Sequence, residues 1–398
     1  MGHATLRIGG VDYTGWREIS VRRGLEHAAA QFEANVSERT TGQPFEPWVL
    51  RPGAPCSILL DGELVITGFI DTYAPSFDAN THDVTVSGRS RTADFVDGAS
   101  IVAGGQFKQL SLLEIALRLA APFGIAVDAL AAIGGPLADV QIQQGETCYA
   151  VLERLCRMQG LLVCDGPGGI LTLARVGSRR AAGALIQGDN ILSASATLDA
   201  SQRFSEYTVK GQRPNQDDRE DGGDATAPLG GLRQTQASGG PAGPSVRACI
   251  GAVADAFLGR YKPWLLTAET IADDAQCRRR AEWEARRRAG HATRATVTVA
   301  GWRQLPGGPL WDTNLLVPVI APWLGINREL LIAAVAFQKG ESGSTTTLEL
   351  TLPDAYATED ESVPGDAPSS GGEPGGGADL WTGGSISAVV EGAGGIFL

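Results

Sequence analysis

The chain has 398 residues, long enough for two or three domains with sizeable cores, and its 43% hydrophobic and 20% charged content is ordinary for a soluble globular protein. No apolar run approaches the roughly 18 residues of a membrane span, and MGHATLRIGG lacks the basic and apolar regions of a secretory leader, so folding in the cytosol is expected. The net charge of -12 argues against a general nucleic-acid binder and is unevenly placed, since residues 353–398 supply eight acidic side chains and no Lys or Arg.

The first hundred residues read as strands. Ile19 and Val21 alternate with polar neighbours, as do Phe32, Ala34 and Val36, which is the two-residue period of half-buried strands. CSILL and ELVITGFID flank Asp61-Gly62, a pair suited to a type I′ turn, so a hairpin is predicted from about Cys56 to Asp71. Val84 and Val86 continue the pattern, and short strands at this spacing predict a barrel or a sandwich.

Near residue 100 the period changes. Ser111 and Glu114 fit a capping box ahead of the stripe Leu112, Ile115, Ala116 and Leu119, which Pro122 and Gly124 end. Cys148, Val151, Leu152 and Leu155 mark a second helix stopped by Gly160, and LLVCD-GPGG-ILTLA reads as a hairpin. Strand texture returns with SEYTVKGQ. Residues 214–246, rich in Gly, Pro and acid, are expected to form a long surface loop or disordered arm. Helices are predicted at about 246–260, closed by Pro263, and about 270–289, closed by Gly290; the second carries Asp273 and Asp274 early and Arg286, Arg287 and Arg288 late, which suits the helix dipole. Strands follow at 295–300, 315–320, 330–337 and 345–352, the last two around the turn KGESGS. After Pro353 the tail is Gly-rich and acidic until Trp381 and the apolar end Ile396, Phe397 and Leu398, which are expected to dock on a partner.

No catalytic constellation emerges. His3, His27, His82 and His291 are scattered, and neither a nucleophile elbow nor a phosphate loop is present. Cys56, Cys148, Cys156, Cys164, Cys249 and Cys277 lack C-x-x-C spacing and read as buried free thiols, so neither a metal nor a cofactor is predicted. Glu26, Glu146, Glu153 and Asp165 are available for glycoside hydrolysis, yet no spacing selects a pair. The helix with Arg278, Arg279, Arg280, Arg286, Arg287 and Arg288 is interrupted by Glu282 and Glu284 and reads as a solvated or subunit-contacting face.

DYTGWREISVRRGLEHAAAQFEANVSER, ITGFIDTYAPSFDANTHDVTVSGRSRTADFVDGAS, PFGI, GETCYAVLERLCRMQGLLV, GDNILSASATLDASQRFSEYTVKGQ and the closing AGW, LWDTN and LLIAAVAFQKGESGSTTTLELTLPDAY follow one another as in a known family. Over about residues 5–357 the chain resembles the Mu-like phage tail proteins of the gpP type, the baseplate hub. That resemblance implies an α+β, mainly β chain with two tube-like β-barrel domains, a small inserted α/β domain and peripheral helices, assembled as a ring-shaped homotrimer. The expected bounds are 1–98 and 185–352 for the barrels, the second holding the loop and the helices, 99–184 for the α/β domain and 353–398 for the tail.

The resemblance further implies a non-enzymatic adaptor between a sixfold tail tube and a threefold central spike, inside a virion baseplate assembled in the host cytoplasm. Its implied partners are the spike, the tube or its initiator, the baseplate wedge proteins and the tape measure protein; no membrane is involved, and DNA passes a neutral or acidic lumen without specific binding. A related injection machine that delivers protein shares this physics, and a glycan-binding or peptidoglycan-degrading tail component is the alternative. Candidate interface residues are Trp302, Trp311 and Trp323, each a core or an interface anchor, together with Arg286, Arg287, Trp381, Phe397 and Leu398.

Overall fold

The fold is a computed structural model that describes residues 2–37, 51–79, 82–214, 246–267, 274–341 and 343–357. The predicted loop at 214–246 falls almost wholly outside the described residues, as does the tail beyond residue 357 with Trp381, Phe397 and Leu398. The chain divides into two compact units, one of Met1–Leu198 with Gly290–Leu398 and the other of Asp199–Ala289.

The first unit begins with β1 (Ala4–Ile8), β2 (Val11–Tyr13), β3 (Glu18–Gly24), β4 (Gln31–Ser37), β5 (Pro55–Leu60), β6 (Glu63–Phe77) and β7 (His82–Ser90). Asp61 and Gly62 take φ of 50° and 81°, the left-handed pair that the predicted hairpin turn requires. Next come α1 (Thr92–Asp97), β8 (Gln106–Leu110), α2 (Leu112–Ala120), β9 (Val127–Ala129), β10 (Leu137–Gln141), α3 (Cys148–Met158), β11 (Leu162–Gly166) and β12 (Ile170–Ala174). The capping box at α2 forms as its spacing predicts, with the Ser111 hydroxyl accepting from Glu114 N and the Glu114 carboxylate accepting from Ser111 N. Its stripe packs with Val151, Leu152 and Leu155 of α3 and with Leu171 and Leu173 of β12 in a core of its own.

Then follow β13 (Arg179–Arg180), β14 (Leu185–Ile186) and β15 (Ile191–Leu198). The second unit contributes β16 (Glu206–Pro214), β17 (Val246–Ala254), β18 (Pro263–Thr267) and α4 (Asp274–Ala292), whose last residues belong to the first unit. The chain closes on β19 (Thr293–Ala300), β20 (Leu315–Ala321), β21 (Ile326–Gly340) and β22 (Gly343–Thr351).

One strand order occurs twice. In the first lobe the sheet runs β3-β4-β7-β6-β5, extended by β1 and β2; in the second it runs β15-β19-β22-β21-β20, with β13 and β14 parallel to β20. The likeness reaches the irregularities. β6 and β21 are each 15 residues long, and against β7 and β22 each slips register at one bulge, between Ile70 and Thr72 and between Ile332 and Ala334; β6 has a second shift against β5 that β21 lacks against β20.

The two strand blocks do not close into separate barrels, contrary to expectation. They share one 14-stranded sheet whose path ends at β2 and β15. The cause is the length of β21: Ile326–Leu331 pairs with β20, while beyond the bulge the same edge, Ala334 to Lys339, is taken by β3 of the first lobe. Val21, Val335, Phe337, Val86, Leu348 and Val317 lie under this junction in one continuous core.

Residues 185–352 are therefore not a single sheet domain, because Asp199–Ala289 compacts separately. Within that unit the predicted helix at 246–260 is instead β17, paired antiparallel to β16 along its length, and Pro263 opens a strand where a helix stop was expected. Ala-rich VRACIGAVADAFLG satisfies a helical period, but Gly251 is what decides: a Cβ there would lie 2.1 Å from Arg278 N, so only a bare strand can lie this close to α4. Gly290 does not stop α4, which continues to Ala292; a Cβ at Gly290 would meet Ala355 N at 2.4 Å, and close approach explains this glycine.

Gly251→Ala is expected to destabilise the second unit by about 1–3 kcal/mol through overpacking against helix backbone. Hydrogen exchange of β16, β17 and α4 amides checks this; unchanged protection would show that the strand and helix part freely.

Candidate assembly interface

Strand β3 places Arg22 and Arg23 on opposite faces of the sheet, and the two do different work. Arg23 points inward and is 8% exposed. It donates through Nη1 to Asp312 Oδ1 at 2.7 Å and through Nη2 to Asp165 O at 2.7 Å, while Arg179 Nη2 reaches Asp312 Oδ2 at 3.1 Å. The Asp165 carboxylate accepts from Ala30 N at 2.9 Å and is also held by the Ser90 and Thr92 hydroxyls. Burial pushes the Asp165 carboxyl above its ordinary value, and the Arg23 charge and these hydrogen bonds offset part of that rise. This cluster ties β11 of the α/β module to β3 of the first lobe and to the loop before β20 of the second. Removing one partner from such a buried set costs about 3–5 kcal/mol, because a charge is left uncompensated.

Arg22 points outward and pairs with Glu349 at 2.7 Å on the solvent face of the sheet. That face is polar across both lobes: Asn35 bonds Thr85, Thr298 bonds Thr347, and Arg89 pairs with Asp71 and Asp97. It carries Arg22, Arg89 and Arg294 against Glu18, Glu33, Asp71, Asp83 and Glu349, so it is mildly acidic. A polyanion sliding over it meets no concentrated positive charge.

Of the residues singled out from the sequence, Trp302 and Trp311 lie in the core of their own chain, each 2% exposed, and Trp302 Nε1 donates to Gln338 O at 3.1 Å. Trp323 is 87% exposed, in the turn between β20 and β21, so it is no core anchor. Arg286 and Arg287 are exposed on α4, where the Arg287 guanidinium lies 5.5 Å from the Trp283 ring. Arg288 is turned inward instead, against Glu284 at 2.6 Å and over the Trp264 ring.

The four candidate carboxylates are used within the chain. Glu26 accepts from the Tyr356 hydroxyl at 2.9 Å, Glu146 pairs with Arg154 at 3.1 Å, Glu153 pairs with Arg157, and Asp165 belongs to the buried cluster. Cys56, Cys148, Cys156, Cys249 and Cys277 are buried thiols outside any disulfide, and Cys164 is half-buried; burial pushes Cys56 and Cys156 up to about 12, far from a reactive thiolate. Among the described residues no group of three or more His, Cys, Asp or Glu converges on a metal-sized site. No described helix is long and apolar enough to cross a membrane.

A cleft of about 510 Å³ runs beside Trp302, Trp311, Gln304 and Asn190. Several of its polar groups are engaged, while Trp311 Nε1 has no partner: Gln304 bonds Ala182 N and Leu310 O, Asn190 bonds Ile186 N and Ala184 O, and Arg303 bonds Glu63 and Gly308 O. Few donors remain to read a sugar.

Three domain models match the chain: Mu phage baseplate assembly protein GpP-like, N-terminal, over residues 3–90; baseplate hub protein gp44-like, second domain, over 92–175; and Mu phage baseplate assembly protein GpP, fourth domain, over 273–359. Baseplate hub protein gp44 of Escherichia phage Mu is 33% identical over 341 residues, covering 83% of this chain and 82% of that protein. The crystal structure of a 43 kDa tail protein of prophage MuSo2 from Shewanella oneidensis superposes with a TM-score of 0.74 at 31% identity, covering 89% of this chain and 99% of that one. A tail protein from Neisseria meningitidis MC58 shares the fold, with a TM-score of 0.69 at 22% identity over 90% of this chain and 99% of the other.

The raised Asp165 carboxyl has a measurable signature. Its folded value lies above the unfolded value of about 3.9, so folding takes up a proton between the two, and that contribution is present at low pH and lost as pH rises through the folded value. Asp165→Asn abolishes the titration. Urea denaturation over a pH series is expected to show the variant gaining on the wild type as pH rises through this window; a constant or shrinking difference would contradict the assignment.

Proposed function

The chain belongs to the family of Mu-like phage baseplate hub proteins, and we propose that within the tail baseplate it forms a homotrimeric ring that fits a sixfold tube to a threefold spike. The observation that carries this is the repeated strand order: each chain holds two lobes of one topology, so three chains present six similar modules. A ring of identical subunits requires a heterologous contact whose rotation closes, and two like lobes per chain halve the rotation that each contact must supply.

In this reading residues 1–98 and the strands between 185 and 352 are the two tube-like lobes, with Asp199–Ala289 inserted in the sequence between β15 and β19. Residues 99–184 are the α/β module braced by the Arg23 cluster. Domain models that end at 90 and span 92–175 support the division between the first lobe and the α/β module. The mildly acidic threonine-rich face lines the channel, letting DNA pass without being held at its phosphates. The protein works as shape, without catalysis or cofactor. Its neighbours are the spike, the tube or its initiator, the wedge proteins and the tape measure protein, and assembly takes place in the host cytoplasm.

Light scattering of the purified full-length protein is expected to give a mass of three chains; a stable monomer or dimer would overturn the ring. Incubation with peptidoglycan is expected to release no soluble fragments, and release abolished by substitution of a carboxylate would reassign the protein as a lysin.

A further inference from the structure

The contact between the two lobes inside one chain predicts the contact between chains. Within the chain, the edge of β21 beyond its bulge receives β3, in the register Val335↔Arg23, Phe337↔Val21 and Lys339↔Ile19. The bond from Leu25 N to Ala333 O, at 2.8 Å, lies on the same ladder and fixes these as the pairs that exchange main-chain hydrogen bonds.

The repeated topology makes β6 the counterpart of β21 and β15 the counterpart of β3. Aligning the two bulges sets Tyr73, Pro75 and Phe77 in the places of Val335, Phe337 and Lys339. Aligning β15 with β3 through their partners β19 and β4 sets Leu198, Ala196 and Ala194 in the places of Arg23, Val21 and Ile19. Among the described residues no strand pairs with either of these edges.

The main-chain groups also point the right way. Ser90 N bonds Ala30 O, so Gly88, Val86 and Val84 face β4, while Ser87, Thr85 and Asp83 face β6 and take Thr72, Ala74 and Ser76; the backbone groups of Tyr73, Pro75 and Phe77 are left facing outward. Gly301 N bonds Ser344 O, and the same alternation leaves those of Ala194, Ala196 and Leu198 facing outward on β15.

We propose that β15 of one chain pairs antiparallel with the outer edge of β6, from Tyr73 to Phe77, in a second copy of this chain, repeating between chains the β3–β21 junction seen within one. The inference rests on the ring reading and supplies its contact surface. The side chains favour it. At the intrachain junction Val335 and Val21 are at 0%, Phe337 at 2%, Ile19 at 3% and Arg23 at 8% exposure, with Lys339 half-buried, whereas on the open edges Phe77 is 83% and Leu198 37% exposed and Tyr73, Ala194 and Ala196 are half-buried. Every aligned residue on those edges is nonetheless apolar or aromatic, while Thr72, Ser76, Ser193, Ser195 and Thr197 alternate with them on the other face. An unpaired sheet edge with an apolar row is a ready template for strand addition. Pro75 stands where Phe337 donates, so the interchain ladder has one bond fewer than its template, and a strand added in any other register meets the same missing donor.

Ser76 and Ser195 fall opposite one another at a non-hydrogen-bonded position of the proposed ladder, where Cβ atoms approach closely. Full-length protein carrying Ser76→Cys and Ser195→Cys, oxidised and run without reductant, is expected to appear mainly as covalent trimer. Mixing the two single variants is expected to give a covalent dimer. Ser76→Cys combined with Thr197→Cys, two residues out of register on the same face, is expected to stay uncrosslinked; efficient crosslinking there in place of the Ser76–Ser195 pair would overturn the register. Ala196→Pro removes only an outward N–H and is expected to raise the concentration of half-assembly about tenfold. A particle of three chains by mass that does not crosslink would overturn the strand assignment and leave the ring standing; a particle that stays monomeric would overturn the ring itself.

Discussion

Main-chain pairing between β3 and β21 is the constraint on which the rest of the first unit depends. It makes one sheet of two lobes and closes a single core beneath them, from Val21 and Phe32 to Phe337 and Leu348. Arg23, on the same strand, carries the constraint inward. Its guanidinium spans Asp312 of the second lobe and the main chain at Asp165 of the α/β module, so one side chain links three parts of the chain. Ladder bonds set spacing and register but leave twist and tilt comparatively soft, and a buried, directional ion cluster restricts that freedom.

Polar and apolar faces of the sheet divide the labour. The inner face holds the lobes together; the outer face keeps a mixed set of threonines and paired charges across both lobes, such as Thr298 with Thr347 and Arg22 with Glu349. A surface of this kind is well hydrated and carries its charges mostly in pairs. The carboxylates that the sequence offers for hydrolysis are committed to Arg154, Arg157, Tyr356 and Ala30.

Much of the strand pattern was legible because a half-buried strand writes its period directly. Ile19, Val21, Phe32 and Ala34 alternate in the sequence and are buried in the fold, and Ser111 with Glu114 announced its helix through a cap that needs no tertiary partner. What failed was long-range. Residues 246–260 satisfy a helical period, and the strand they form is chosen by β16 and by the closeness of α4 at Gly251, neither of which a local window contains. The open sheet was missed for a like reason, since nothing local says that the far half of β21 belongs to β3. Trp323 was grouped with Trp302 and Trp311 by residue type alone, although it sits in a turn after Pro322. For Arg23 a local signal did exist: in EISVRRG, strict alternation sends the second arginine to the side of Ile19 and Val21, and an inward arginine on a strand must have found a counter-charge.

The repeat is faithful in its strands and unfaithful in its connections. The link from β3 to β4 is residues 25–30, whereas the corresponding link from β15 to β19 is residues 199–292 and holds a whole compact unit. After β7 the chain goes on to build the α/β module, whereas after β22 the described residues hold only a short turn at Pro353–Ala355. In the ring proposed above, these unequal connections would recur once per chain while the lobes recur twice, so the lower periodicity would come from connection length and the higher one from the strands.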